Sequence, residues 1–313
     1  KMKKKQILLI NDIAGYGKVA TAAMLPILSY MGHPTYNLPT ALVSNTLDYG
    51  KFNILETTDY IKGVFPVWRE LGFTFDAIAT GFMASESQAR MISDYCREQA
   101  ASGTVIFVDP IMGDEGKLYN GVTGEAIKSM REMVSVAHLV FPNHTEACYL
   151  TGMEYDARGV SRDGARRLTD ALLALGTKSA LITSIPVDGQ PSVVGYNHVD
   201  GEYFCLPYTE IPVHFPGTGD IFSAVLIGRL LDGAPAGRWM PYTRSSTSTR
   251  TTRTRIGAYL SRSISTCSDR ASSTNRRHGH TAPYRVRRLC AEVPSVCAGV
   301  QKRDKNNAFC RSE

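Results

Sequence analysis

Near residue 217 the chain runs Phe215-Pro216-Gly217-Thr218-Gly219-Asp220 and then turns apolar through Ile221-Phe222-Ser223-Ala224-Val225-Leu226. Two glycines let the backbone N–H groups of such a turn converge, and a helix starting there adds positive potential, so Gly217, Thr218 and Gly219 can form an anion hole for a phosphoryl group in transfer. Asp220 at the same point can take a proton from an attacking hydroxyl. The plainer alternative is helix capping, with glycine for turn freedom and Asp220 for the macrodipole. A second group is Val108-Asp109-Pro110-Ile111-Met112-Gly113-Asp114, where two carboxylates five residues apart follow an apolar run. Asp109 and Asp114 there suit a hydrated Mg²⁺ beside phosphates, or else a simple Asp-Pro turn. A third is Pro142-Asn143-His144-Thr145-Glu146. Asn143 reads as an N-cap with Glu146 completing a capping box, and Glu146 also stands where it can act as an outer ligand of Mg²⁺ through water. Thr183 and Ser184 follow another apolar run and offer hydroxyls to phosphate or nucleotide, or simply turn the chain.

Gly15-Tyr16-Gly17-Lys18-Val19-Ala20 satisfies the G-x-G-x-x-A dinucleotide pattern. The pattern expects an acid at the next strand end, whereas Pro39-Thr40-Ala41 holds none and Asp48 comes too late. A dinucleotide-dependent oxidoreductase therefore rests on these glycines alone. His33, His138, His144, His198 and His214 lack metal-ligand spacing, and Cys96, Cys148 and Cys205 read as small core or surface residues rather than nucleophiles. Neither G-x-S-x-G nor G-x-x-x-x-G-K-[ST] occurs.

These residues need elements to position them. Apolar runs at 6–10, 34–40, 77–81, 105–109, 139–142, 180–184, 193–198 and 202–207 read as strands. Amphipathic stretches at 19–31, 57–71, 86–101, 124–136, 145–151, 161–175 and 220–231 read as helices. This alternation predicts an α/β fold with a mostly parallel central sheet and helices on both faces, its ligands beyond the carboxyl ends of the strands. Residues 193–207 predict a hairpin turning at Asp200-Gly201.

The 313 residues, 43% hydrophobic and 20% charged, have an ordinary globular composition. No apolar run approaches the ~20 residues of a membrane span, and the run after Lys1–Lys5 is short for a secretory signal, so a cytoplasmic location with reduced thiols is expected. The overall charge of +6 hides a break. Residues 238–313 hold 16 basic against 4 acidic side chains, a balance of +12 that leaves −6 for residues 1–237. Only nine of these 76 residues are Leu, Ile, Val or Phe, below the ~20% at which a charged chain rarely folds. The expected organisation is a catalytic domain over 1–237 and an anomalous Arg/Ser/Thr-rich tail over 238–313, disordered or non-native. A nucleic-acid-binding arm and a zinc module are its alternatives, the latter without any Cys-x-x-Cys pair.

Taken in order, the motifs resemble the ribokinase-like superfamily, and within it pyridoxal kinases. The stretches that carry the likeness are Asn11–Gly17, Val43–Gly50, Asp109–Asp114, Pro142–Glu146, Ile182–Ser184 and Gly217–Asp220, in family order across residues 6–233. The resemblance implies ATP-dependent phosphorylation of the 5′-hydroxymethyl of pyridoxal, pyridoxine or pyridoxamine, with Asp220 as base and Gly217, Thr218 and Gly219 as anion hole. It implies ATP contacts from Asp109, Asp114, Asn143, Thr183 and Ser184, with Asp109 and Glu146 around Mg²⁺, and leaves a monovalent cation open. It implies substrate contacts from Asp12, Ser44, Leu47, Asp48 and Tyr49. Asp12 replaces a common Ser and Leu47 a common Thr, so hydroxymethylpyrimidine phosphorylation is the alternative. An inactive kinase fold with a basic nucleic-acid-binding tail is a further one. The expected partners are a small-molecule substrate and a second copy of the chain, with neither membrane nor nucleic acid.

Overall fold

The computed structural model describes residues 4–119, 122–209 and 216–233. The tail expected over 238–313 lies outside the described residues.

The strands are β1 (Ile7–Tyr16), β2 (Thr35–Asn45), β3 (Ile54–Glu56), β4 (Ala77–Thr80), β5 (Val105–Val108), β6 (Gly113–Asp114), β7 (Lys117–Leu118), β8 (Leu139–Val140), β9 (Ser179–Val187), β10 (Gln190–Asn197) and β11 (Glu202–Pro207). The helices are α1 (Ala20–Tyr30), α2 (Thr58–Glu70), α3 (Glu86–Ala101), α4 (Gly124–Ser135), α5 (His144–Thr151), α6 (Arg162–Leu173) and α7 (Thr218–Leu231). Nine strands form one sheet in the order β11-β10-β9-β8-β5-β4-β1-β2-β3, and β6 with β7 forms a small separate hairpin. The pairs from β2 through β1, β4, β5 and β8 to β9 are parallel, while β3, β10 and β11 join antiparallel at the two edges. The expected parallel α/β architecture is therefore present.

Its local causes are legible. Ser85, Thr123, Asn143 and Ser161 each accept an N–H of the first turn of α3, α4, α5 and α6 with their side chains. The central strands β4, β5 and β8 are apolar on both faces because helices cover both. One core, with Leu8, Ile10, Ile78, Ile106 and Val140, packs under α2 to α6. The other, with Ile7, Leu9, Ala79, Phe107 and Leu181, packs under α1 and α7 through Met24, Leu28, Ala224 and Ile227. Each buried Leu, Ile, Val, Met or Phe among them contributes ~1.5–3 kcal/mol. Among the described residues no helix is long and apolar enough to cross a membrane.

Three local expectations change. The first two strands run on to Tyr16 and Asn45 instead of ending near Ile10 and Thr40, because β1 and β2 stay paired past a bulge between Asn11 and Ile13. Thr183 and Ser184 are not turn residues: β9 continues to Val187, with Ser184 at a left-handed φ of 53°. The strand turns back into β10 at Asp188-Gly189, where both residues have positive φ and Val187 pairs with Gln190. The hairpin at Asp200-Gly201 stands as expected, with Asn197 opposite Glu202.

Candidate active site

β1 lies between β2, reached through α1, and β4, reached after α2, so the chain's winding reverses at this strand. That reversal opens a crevice beyond the carboxyl ends of the strands. Four acids from four elements come together there: Asp12 on β1, Asp109 after β5, Glu146 in the first turn of α5 and Asp220 in the first turn of α7.

Glu146 is buried, and its position is over-determined. One carboxylate oxygen accepts the N–H of Met112 and the other that of Asn143, each at 2.9 Å, while Asn143 Oδ1 accepts the N–H of Glu146 at 2.9 Å. The expected capping box is thus real, and it also clamps the loop after β5. Asn143 Nδ2 donates to Gly113 O at 2.8 Å, and Gly116 N donates to Thr145 Oγ1 at 2.8 Å. Asp114 consequently sits in a two-stranded hairpin strapped to α5 rather than in a free loop, and it accepts the N–H of Glu115. Asp109 accepts the hydroxyl proton of Ser223 at 2.9 Å, which ties β5 to α7.

Gly217 caps α7 at φ 93°, and a Cβ there would stand 2.2 Å from Lys18 O. Only glycine allows the two loops to approach this closely. The backbone N–H of Ala20, a residue at φ 48°, donates to the Asp220 carboxylate, as does the N–H of Asp220 itself. The carboxylate thus lies between the starts of α1 and α7.

Burial raises the proton affinity of all four acids. For Asp109 the burial effect is joined by repulsion from Glu146 and Asp220, and the shift is large. Glu146 rises to about 7, mainly by burial against the opposing pull of three backbone N–H groups. Asp12 rises to about 6 by burial and then by Asp220. Asp220 rises by burial. A cluster so short of counter-charge fits a cation. Both Glu146 oxygens are nevertheless committed to N–H groups, and among the described residues no three His, Cys, Asp or Glu side chains form a direct ligand set. The donors fit a Mg²⁺ that keeps its water and is held largely through phosphate oxygens.

The remaining expected residues divide. Ser44, next to the last residue of β2, has its hydroxyl spent, donating to Asn45 Oδ1 at 2.7 Å and accepting Asn53 N at 2.8 Å. Leu47 and Tyr49 lie exposed in one 3₁₀ turn at the same rim, with Tyr49 edge-on to Tyr16 at 5.8 Å. Asp48 belongs to that turn, and its side chain lies outside the described set. Thr183 is half-buried beside Asn143, to which it is bridged in parallel, whereas Ser184 is exposed. Sequence reasoning passed over Asn11. Its Oδ1 accepts the N–H groups of Asp12 at 3.0 Å and Phe82 at 2.8 Å, joining β1 to the loop after β4, and Gly81 is the residue that leaves it room. A buried Asn beside the strand-end acid was the available signal.

The dinucleotide reading fails on geometry. Gly15 and Tyr16 are strand residues, so only Gly17, Lys18 and Val19 remain for the turn into α1 and the first glycine of the pattern is not in it. A Cβ on Gly15 would approach Ser44 O at 3.0 Å, and one on Gly17 would clash with Thr46 Cγ2. These glycines let β1 and β2 stay close. Cys96 and Cys148 are buried, and burial pushes their thiols to about 12 and about 11, which suits packing rather than nucleophilic roles.

Comparison with known proteins points the same way. The phosphomethylpyrimidine kinase family matches residues 38–238. The chain is 29% identical to the pyridoxal kinase of Arabidopsis thaliana over 235 residues, covering 71% of this chain and 73% of that protein. It is 30% identical to the pyridoxine/pyridoxal/pyridoxamine kinase of Bordetella avium, covering 70% and 75%. Among solved structures, a Bacteroides thetaiotaomicron protein called a phosphomethylpyrimidine kinase and crystallised with pyridoxal is similar at a TM-score of 0.71 and 34% identity, covering 76% of this chain and 84% of that one. The pyridoxal kinase of Lactobacillus plantarum is similar at a TM-score of 0.70 and 25% identity, covering 88% and 92%.

Proposed function

We propose a specific reaction for a chain that belongs to the ribokinase-like family of pyridoxal and phosphomethylpyrimidine kinases: ATP-dependent phosphorylation of the 5′-hydroxymethyl group of pyridoxal, pyridoxine or pyridoxamine. The observation that carries it is the placing of Asp220 at the start of α7, directly behind the glycine turn and against Ala20.

In this reading Asp220 accepts the proton of the attacking hydroxyl. Its raised affinity for a proton, set by burial, suits that task. The N–H groups of Gly217, Thr218 and Gly219 and the start of α7 stabilise the negative charge of the phosphoryl group in flight. Asp109 is held toward α7 by Ser223, and Glu146 by its backbone clamp, so neither reorganises during transfer. Mg²⁺, when bound, neutralises phosphate charge, and Asp109 would hold it with Glu146 acting through water. Asn143, Thr183, Asp114 and Ser184 face ATP along the same edge, with Ser184 as an outer contact. Asp12, Leu47 and Tyr49 surround the acceptor alcohol, Asp48 belongs to the same turn, and Ser44 shapes the rim through its link to Asn53.

A second substrate, a hydroxymethylpyrimidine, is favoured by the family match over 38–238. The deciding experiment is turnover with MgATP and each of the three B6 vitamers or 4-amino-5-hydroxymethyl-2-methylpyrimidine, with product phosphate esters separated chromatographically. The vitamers are expected to be phosphorylated faster. Faster turnover of the pyrimidine would reassign the substrate, and turnover of neither would refute the reading.

A further inference from the structure

Behind Asp220, α7 turns apolar, and Ser223 is the one polar side chain in the run Ile221-Phe222-Ser223-Ala224-Val225-Leu226. Ser223 is 1% exposed, so its hydroxyl is cut off from bulk water and needs a partner inside the protein. A serine inside a helix ordinarily donates to the carbonyl one turn back. Ser223 instead donates to Asp109 Oδ2 at 2.9 Å, across 114 residues of chain.

Asp109 has a second donor, the N–H of Ile111. That bond lies within the loop leaving β5, so it fixes the carboxylate to its own strand end and not to α7. The Ser223 bond crosses between elements. Ser223 stands about one turn after Asp220, so the start of one helix carries the glycine turn, Asp220 and the hydroxyl that holds Asp109. A carboxylate has about four acceptor sites, and these two donors leave sites for a hydrated cation. A proton spent on one oxygen also fixes which way the other oxygen faces.

Resting on the kinase reading above, we propose that Ser223 is a positioning residue: by orienting Asp109 it sets how tightly Mg²⁺ is held with the nucleotide, while touching neither the cation nor the reacting atoms itself. Replacing Ser223 by alanine keeps the helix, since alanine is the best helix former and fits the space. It leaves Asp109 held by Ile111 alone, free to turn about its own side-chain bonds. The Mg²⁺ concentration required is then expected to rise by roughly ten- to hundredfold, the range for losing a hydrogen bond to a charged group. Nucleotide binding without Mg²⁺ stays as it was, because the N–H groups of the glycine turn and of α7 remain in place.

The test is the calorimetric Kd of ADP, with and without Mg²⁺, for the full chain and for Ser223→Ala, Asp109→Asn and the double variant. The full chain is expected to bind ADP more tightly when Mg²⁺ is present. Ser223→Ala is expected to lose most of that gain while its Mg²⁺-free Kd is unchanged. In turnover at saturating ATP and pyridoxal, its half-saturating Mg²⁺ should rise by roughly ten- to hundredfold, with the KM for pyridoxal unchanged. Added to Asp109→Asn, Ser223→Ala should cost nothing further, since a residue that acts through Asp109 then has nothing left to orient. An unchanged Mg²⁺ gain in Ser223→Ala, an equal weakening of ADP with and without Mg²⁺, or a further loss on top of Asp109→Asn would each overturn the inference. So would a full chain whose ADP affinity does not respond to Mg²⁺. A full chain that responds to Mg²⁺ but phosphorylates no B6 vitamer refutes the kinase reading alone, and the calorimetric comparison still decides the role of Ser223.

Discussion

Asp220 and Glu146 both begin helices, yet their surroundings separate their roles. Glu146 spends both oxygens on backbone N–H groups, which makes it a strut for the loop carrying Asp109 and Met112. Asp220 accepts from Ala20 and from its own N–H and faces two other acids across the crevice. Asp220→Asn is accordingly expected to lower kcat by ~10²–10⁴-fold, the usual loss for a general base, with the melting temperature nearly unchanged because Asn also suits the first turn of a helix. Near-normal turnover would reassign Asp220 to capping. Glu146 also carries a pH signature. Its proton affinity is about 7 in the fold against an ordinary 4.5, so between those values the native state binds the extra proton. The stability linked to Glu146 is thus fully present below about 4.5 and is lost as the pH rises through about 7. The melting temperature of the ligand-free chain should fall across that window, and Glu146→Gln should flatten the fall. An identical slope in the variant would show that Glu146 does not titrate there.

Single elements carry the site because each presents a fixed end. α7 delivers Asp220 only if its start can nest against the loop before α1, and the contact between Gly217 and Lys18 O sets that nesting. Gly217→Ala meets both a Cβ clash and a positive φ. It should cost ~1–3 kcal/mol in urea unfolding and, on the proposed mechanism, at least about tenfold in kcat, since the proposed base and anion hole would be displaced together. A variant of full stability and activity would show that α7 can shift without consequence. The elements were largely readable in advance, since apolar period and cap residues identify α3 to α6. Turn chemistry is harder to read. Asp188-Gly189 marks a tight hairpin as plainly as Asp200-Gly201 does, but reading Thr183-Ser184 as the end of a strand concealed it. The short β3 and the β6–β7 hairpin have too few residues to show a period, so pairing alone defines them.

At the scale of the molecule, helices on both faces of one sheet bury two cores, and the acids gather where the winding reverses. Residues 238–313 contribute few large apolar side chains by composition. Truncation after Gly237 is therefore expected to move the melting temperature by no more than the few degrees that ~1 kcal/mol produces in a domain of this size. Unfolding of the truncated chain would make the tail part of the core.

The chemistry-bearing residues and their order along the chain belong to the sequence by itself. A Gly-Thr-Gly-Asp turn before an apolar helix, acids at strand ends and an Asn-x-x-Glu cap are local patterns, so local physics suffices to read them. The distances between them do not. That Asp220 comes near enough to both Asp12 and Asp109 to repel their charges, that Ser44 has no hydroxyl to spare and that Gly15 and Gly17 allow close approach to the β2 end are facts of tertiary structure. Each depends on a partner far away in the chain, brought near by the order of strands in the sheet. Burial, which sets the proton affinities of all four acids, is likewise a property of the packed whole.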